Sequence, residues 1–403
     1  MKGLYPLPSW VYDTVIYQIF PDRFHIGRGL KVENKRKLYE QRGGKIESWD
    51  TPPKATEDNS HCKVFYGGDL WGITEKLNYI KALGVNCIYL NPNFLSPSNH
   101  KYDTVDHFRI DPQFGTKAAF KKLLKECKKN KIRLILDGVF NHVSSEHRWF
   151  IDALNGKKEA ISLFTFFKDG YVGWYGSKSM PQIDLENTFV RDYVLRVIEH
   201  YLTMGIDGWR LDCGHDLGPV NNSVITAKAK EVSSESYIVS EIWTYPAGWN
   251  MVDGIMNYHF ANCIYAYLKG ELKNVGSVLQ TTYLETENIY GCWNMLDSHD
   301  TERLATMMEN KDLRKLAIVM QFTYPGVPVI YYGSEIGMKG GKDPECRAPM
   351  IWEEEKWDLD LLNFYRKLIT IRRQEPALRF GTFKVLCEDP LVYLRKAPYP
   401  LHN

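Results

Sequence analysis

No window of this 403-residue chain approaches the roughly 18 uninterrupted apolar residues that a membrane-spanning helix needs. The opening stretch, MKGLYPLPSWVYDT, carries no apolar run of signal-peptide length, so a cytoplasmic location is expected. An excess of one charge is missing too: 51 Lys and Arg stand against 49 Asp and Glu, a formal net charge of +2. That balance argues against nucleic acid or an anionic membrane as partner and favours a neutral ligand. Paired cysteines are also lacking. The 8 cysteines, from Cys62 to Cys387, form no CxxC pair and no His/Cys cluster at zinc-ligand spacing, which points to thiols rather than disulfides or a zinc site.

What the chain has in plenty is apolar and aromatic surface. At 44% hydrophobic and 25% charged it is globular and can bury a large core. It carries 25 Tyr and 11 Trp, whose flat faces and polar edges suit sugar rings as well as cores. Short apolar runs alternate with longer amphipathic ones. Strands are predicted at TVIYQIFP (14–21), NCIYLNP (86–92), IRLILDGVF (132–140), GWRLD (208–212), YIVSEIW (237–243), GIMNYH (254–259), CWNMLDSHD (292–300) and GVPVIYYGSE (326–335). Helical patterns such as TKAAFKKLLKECKKNK (116–131) and RDYVLRVIEHYLTMG (191–205) lie between them.

Eight strands alternating with helices predict an α/β fold, a (β/α)8 barrel formed by 1–142 and 188–374. The long Gly- and aromatic-rich interval 143–187 is expected to be a small inserted domain. A second long connection, 22–68, is polar and lysine-rich and is expected to be an exposed excursion.

In such a barrel, polar residues just past the apolar runs gather at one end. The third strand ends in Asp137 with Asn141 and His142 behind it, the fourth in Arg210 and Asp212, the fifth in Glu241, the seventh in His299 and Asp300. A single strand-end Asp is often a helix cap. Four on separate strands, three of them with a His or Arg companion, read better as one cleft. Two carboxyls flanking a glycosidic bond are what retaining sugar hydrolysis needs, one as nucleophile and one as acid and base. Arg210 beside Asp212 then keeps that group ionised and oriented.

At these residues the sequence resembles the α-amylase family of glycoside hydrolases (family 13) over nearly its whole length. The motifs, in family order, are DGVFNH (137–142), MPQIDLEN (180–187), GIDGWRLDC (205–213), SEIW (240–243), LDSHDTER (296–303) and GVPVIYYGSEIGM (326–338). A further set, YQIFPDRF (17–24), FYGGDLWGI (65–73), SPSNHKYDTVDHFRIDPQFGT (96–116) and DPECRAPMIW (343–352), is similar to the neopullulanase, cyclomaltodextrinase and maltogenic amylase branch. The resemblance implies Asp212 as nucleophile, Glu241 as general acid/base and Asp300 as third carboxylate. It also implies His142 and His299 on hydroxyls of the cleaved glucose, Tyr102 stacked beneath it, Arg210 orienting the nucleophile, and Asp343 with Arg347 holding the next glucose. Asp137 and Asp106 are expected to support the site.

The chain departs from the branch after the nucleophile, where CGHD places His215 and Asp216 at positions that shape acceptor subsites in related enzymes. The branch carries an N-terminal β-sandwich that helps form a dimer, whereas here the first strand pattern begins at Thr14. The oligomeric state is therefore left open, and 375–403 is expected to hold only the start of the family's C-terminal β-sandwich. Many relatives bind calcium where Asn141 stands, with Asp184 nearby; the chemistry itself requires no cofactor. The expected substrate is an α-glucan, maltooligosaccharide or cyclodextrin, cleaved at α-1,4 bonds. A 4-α-glucanotransferase using the same three carboxylates is the nearest alternative. A non-catalytic sugar-binding barrel is a third, against which the presence of all three carboxylates counts.

Overall fold

Each of the eight apolar patterns forms a strand. In the computed structural model, which describes residues 4–398, these are β1 (Ile16–Ile19), β2 (Cys87–Leu90), β3 (Arg133–Gly138), β4 (Gly208–Leu211), β5 (Tyr237–Ser240), β6 (Gly254–Ile255), β7 (Trp293–Met295) and β8 (Val327–Tyr331). Apart from Arg133 at the start of β3, every strand residue is buried. Burial on both faces is why the strands read as continuous apolar runs rather than alternating ones.

The strands form one sheet in the order β6-β5-β4-β3-β2-β1-β8-β7. The pairings β1–β8, β3–β4, β5–β6 and β7–β8 are parallel. A parallel bridge between Met256, just past β6, and Trp293 of β7 joins the two ends of that order. This is the expected (β/α)8 class. Helix ends follow the local chemistry: Asn187 caps Thr188–Met204 by accepting the Phe189 N–H, and Gly205, at φ 105°, ends it in the left-handed conformation.

The chain divides into two compact units. One comprises the chain start through Gln18, Asn78–Ile88 and everything from Tyr237 on; the other comprises Ile19–Leu77 and Tyr89–Ser236. In the first unit a hairpin of Thr382–Glu388 and Leu391–Lys396 follows the last helix, and Phe383 packs edge-on against Tyr324. In the second, the interval after β3 holds a helix, Arg148–Leu154, and a short hairpin, Phe166–Phe167 with Gly170–Tyr171.

The 22–68 connection is largely exposed between Lys31 and Ser60, as expected, but it is ordered and anchored. It contains a helix, Val32–Glu40, and a parallel pair, Lys45–Ile46 with Val64–Phe65. Tyr39 stacks on Phe65 with centroids 4.0 Å apart. Lys35 is fully buried and bonds both the Gly67 carbonyl and the Asp69 carboxylate. Composition signalled exposure here, but a single lysine with a buried partner reverses it locally. Among the described residues no helix is long and apolar enough to cross a membrane, and the eight cysteines are free thiols.

Candidate active site

The register of β3 and β4 sets the first cluster. Arg210 is paired directly with Asp137 across the two strands. Asp212 follows Arg210 by two positions, which in extended chain puts both side chains on one face. The Asp212 N–H continues the pairing by donating to the Gly138 carbonyl at 3.1 Å. The result is a bridge: Arg210 Nη1 donates to Asp137 Oδ1 at 2.8 Å and to Asp212 Oδ1 at 2.7 Å. Arg210 is fully buried, and Asp212 is 5% exposed.

Asp137 accepts two further bonds on its other oxygen, from the hydroxyls of Tyr89 at 2.6 Å and Tyr102 at 2.9 Å. Burial pushes its pKa up, while Arg210 and the tyrosines pull the other way. Tyr102 also accepts a bond from Asn91 at 3.0 Å, and its ring faces the Arg210 guanidinium at 5.9 Å. The ring proposed to lie beneath a sugar is thus fixed at its hydroxyl end. His142 is buried, with a pKa lowered to about 4 chiefly by burial. It is neutral at pH 7, and its Nε2–H is directed at the Tyr102 carbonyl, 3.1 Å away.

Cys213, next to the nucleophile candidate, sits in the left-handed region at φ 51° and turns its thiol onto Asp212 Oδ2 at 3.1 Å. His215 and Asp216 are exposed in the first turn of the helix Gly214–Val232. Asp106 is half-buried and caps the Phe108 N–H at 2.9 Å, a structural role.

A second cluster belongs to the other unit. Glu241 directly follows β5 and is 8% exposed. Trp243 donates its indole N–H to Glu241 Oε1 at 3.0 Å. Past β7, His299 is fully buried, and Gln18 of β1 meets its Nδ1 at 2.8 Å through the amide nitrogen. Because an amide nitrogen donates, Nδ1 accepts, and the ring proton stays on Nε2, 3.1 Å from Asp300 Oδ2.

Arg347 plays the part in this cluster that Arg210 plays in the other. Its Nη2 reaches Asp300 Oδ1 and its Nη1 reaches Asp343 Oδ2, each at 3.0 Å, while Nε donates to the His299 carbonyl at 2.8 Å. Burial works against its charge, but Asp343 and Asp300 outweigh that and raise its pKa. The sequence reading named neither Gln18, a polar residue inside the apolar run of β1, nor Trp243 as functional. The interrupted hydrophobic pattern was the available signal for the first, and the position two after Glu241 for the second.

The side chains of Asn141 and Asp184 are both engaged by neighbouring residues. The Asn141 amide points at His142 Nδ1 at 3.4 Å, and Asp184 spends an oxygen on the Glu186 N–H at 2.9 Å. Among the described residues, the one group of three ionisable ligand atoms lying within 4.8 Å of one another is His142, Asp212 and Cys213. Nitrogen and sulfur are not the donors calcium takes, and Asp212 already faces a guanidinium.

The profile of the alpha amylase catalytic domain matches residues 18–173 and 167–358. The chain belongs to the α-amylase family. A cyclomaltodextrinase of Thermoanaerobacter pseudethanolicus is 36% identical, over 99% of this chain and 70% of the relative. Neopullulanase 2 of Thermoactinomyces vulgaris is 35% identical, over 94% of this chain and 66% of its own length. The solved cyclic α-maltosyl-(1→6)-maltose hydrolase of Arthrobacter globiformis, in complex with cyclic α-maltosyl-(1→6)-maltose, is similar with a TM-score of 0.89 at 31% identity, over 97% of this chain and 90% of that one. The chain is therefore an α-amylase-family glycosidase related to cyclomaltodextrinases and neopullulanases.

Proposed function

We propose that this glycosidase is a retaining hydrolase of α-1,4-glucosidic bonds in maltooligosaccharides and cyclodextrins. Asp212 attacks the anomeric carbon as the glycosidic C–O bond breaks, and Glu241 gives its proton to the leaving oxygen. Glu241 then takes a proton from water, the water oxygen attacks the same carbon, and Asp212 is released. Asp300, held by Arg347, is assigned to sugar hydroxyls of the cleaved residue, with Asp343 and Arg347 toward the next glucose.

The observation that carries this reading is the Arg210 bridge. A nucleophile must be ionised and must not rotate away, and a buried guanidinium at 2.7 Å supplies both conditions. The test is chromatography of the products from β-cyclodextrin and from maltotriose, with Asp212→Asn alongside. Maltose and glucose accumulating from both, and vanishing in the variant, is the expected result. Sugars longer than maltotriose appearing from maltotriose would instead indicate the transferase, and full activity in Asp212→Asn would overturn the assignment.

A further inference from the structure

Within one unit, a chain of contacts runs from Glu241 to the segment that carries Asp300. The indole N–H of Trp243 is bonded to Glu241 Oε1 at 3.0 Å. The Trp243 ring lies flat on Tyr258, with centroids 3.6 Å apart and planes 7° from parallel. The Tyr258 hydroxyl is 3.3 Å from Ser298 Oγ, and that same oxygen accepts the Asp300 N–H at 3.1 Å. Tyr258 and Ser298 are 3% and 0% exposed, whereas Trp243 is 44% exposed. The indole is thus an accessible ring seated on a buried support.

We propose that Trp243 and Tyr258 are positioning residues that hold Glu241 by Oε1, so that Oε2 is the oxygen that passes the proton. This deepens the glycosidase reading and rests on it. An oxygen that receives an N–H is a poor place for an acid proton, because a hydroxyl oxygen accepts more weakly than a carbonyl oxygen or carboxylate. The proton therefore resides on Oε2, and rotation of the carboxyl about its last bond, which would exchange the two oxygens, is restrained. Tyr258 fixes the plane of the indole and hence the direction of its N–H. The Tyr258–Ser298 contact is longer than an optimal hydroxyl pair, so the hydroxyl matters less than the stack.

The consequence is a dependence on the leaving group. A sugar leaving group needs the proton that Glu241 delivers, whereas fluoride leaves as the anion and does not. Trp243→Phe keeps a ring on Tyr258 and deletes only the N–H donor. It is expected to lower kcat/KM on maltotriose by about 10- to 100-fold, the range of a hydrogen bond to a charged group, and on α-maltosyl fluoride by less than about threefold. Tyr258→Leu, which removes the stack, should follow Trp243→Phe. Tyr258→Phe, which keeps the stack, should stay close to wild type.

A second readout does not depend on turnover. The indole N–H resonance of Trp243, assigned by its loss in Trp243→Phe, should move in Glu241→Gln. Equal losses on both substrates in Trp243→Phe, or an indole resonance indifferent to Glu241→Gln, overturn the positioning role while leaving the glycosidase reading intact. Wild-type protein inactive on both substrates overturns the reading, and the role with it, even where the indole resonance responds.

Discussion

Arg210 Nη1 lies 2.7 Å from Asp212 Oδ1, and the same nitrogen donates to Asp137 at 2.8 Å. One nitrogen serving two carboxylates fixes the spacing between them as well as their charge. The support continues outward, because Asp137 is itself held by Tyr89 and Tyr102. Displacement of Arg210 therefore shifts Asp212, the proposed nucleophile, together with Asp137 and the Tyr102 ring bonded to it.

Arg210→Lys tests this directly. Lysine keeps the positive charge but replaces a planar fork by a flexible point charge that cannot reproduce the bridge. We expect kcat on maltotriose to fall by about 10²-fold, the scale of a misplaced reacting group, with a smaller change in KM. Arg210→Met removes the charge altogether and takes the guanidinium from two buried carboxylates, Asp137 being 1% exposed. It should also destabilise the fold, by about 3–5 kcal/mol in chemical denaturation. A lysine variant with wild-type kcat would show that charge alone suffices.

Arg347 joins Asp300 to Asp343, so its loss should be felt in binding more than in bond breaking. Arg347→Ala is expected to raise KM for maltotriose by about tenfold, the scale of one charge-assisted interaction, with kcat less affected. The same variant frees Asp343, whose side chain is 42% exposed. Asp343→Ala should therefore produce a milder rise in KM than Arg347→Ala, because Arg347 keeps Asp300 in that variant. Steady-state kinetics on the two variants settle the order, and the reverse order would remove Arg347 from its bridging role.

Asp103, beside Tyr102, gives a stability signature. It is buried and bonded by the Ser98 hydroxyl, and burial raises its pKa to about 6. The folded state therefore holds its proton to higher pH than the unfolded chain, whose Asp titrates near 4. Between about pH 4 and 6 the unfolded state binds fewer protons, so stability falls as pH rises through that window and stays lower above it. Two pH units correspond to about 3 kcal/mol as an upper figure. Asp103→Asn should flatten this fall relative to wild type and be the more stable protein at pH 7. Parallel urea titrations from pH 4 to pH 7 measure the difference, and curves that stay parallel would contradict it.

Much of this was legible in the residues. All eight strands begin within two residues of their sequence patterns, because strands buried on both faces announce themselves as apolar runs closed by polar residues. β6 is only two residues long, and its pattern alone gave little to distinguish it. The strand-end carboxylates were legible for the same reason. The adjacent partner Arg210 was legible as well, but the contacts made across long sequence separations were not. Gln18 precedes His299 by 281 positions, and Arg347 follows Asp300 by 47. No periodicity links residues so far apart, and only the fold brings them into reach. The buried Lys35 was hidden in a different way, since its partner Asp69 lies beyond the polar segment that composition marked as exposed.

Gln18 then becomes the informative residue of β1. Its amide nitrogen donates to His299 Nδ1, which keeps the ring proton on Nε2 and directed at Asp300. Gln18→Leu removes that donor, leaves the tautomer unspecified and should lower kcat by about tenfold or more. Gln18→Glu goes further. It presents an acceptor where Nδ1 needs a donor, drawing the proton of a neutral ring to Nδ1 and leaving a bare Nε2 lone pair against the Asp300 carboxylate. That variant should be slower than Gln18→Leu, although it is closer to wild type in size. The comparison requires only kcat for the two variants with a circular dichroism check of folding. If glutamate is tolerated better than leucine, His299 does not act through the tautomer that Gln18 selects.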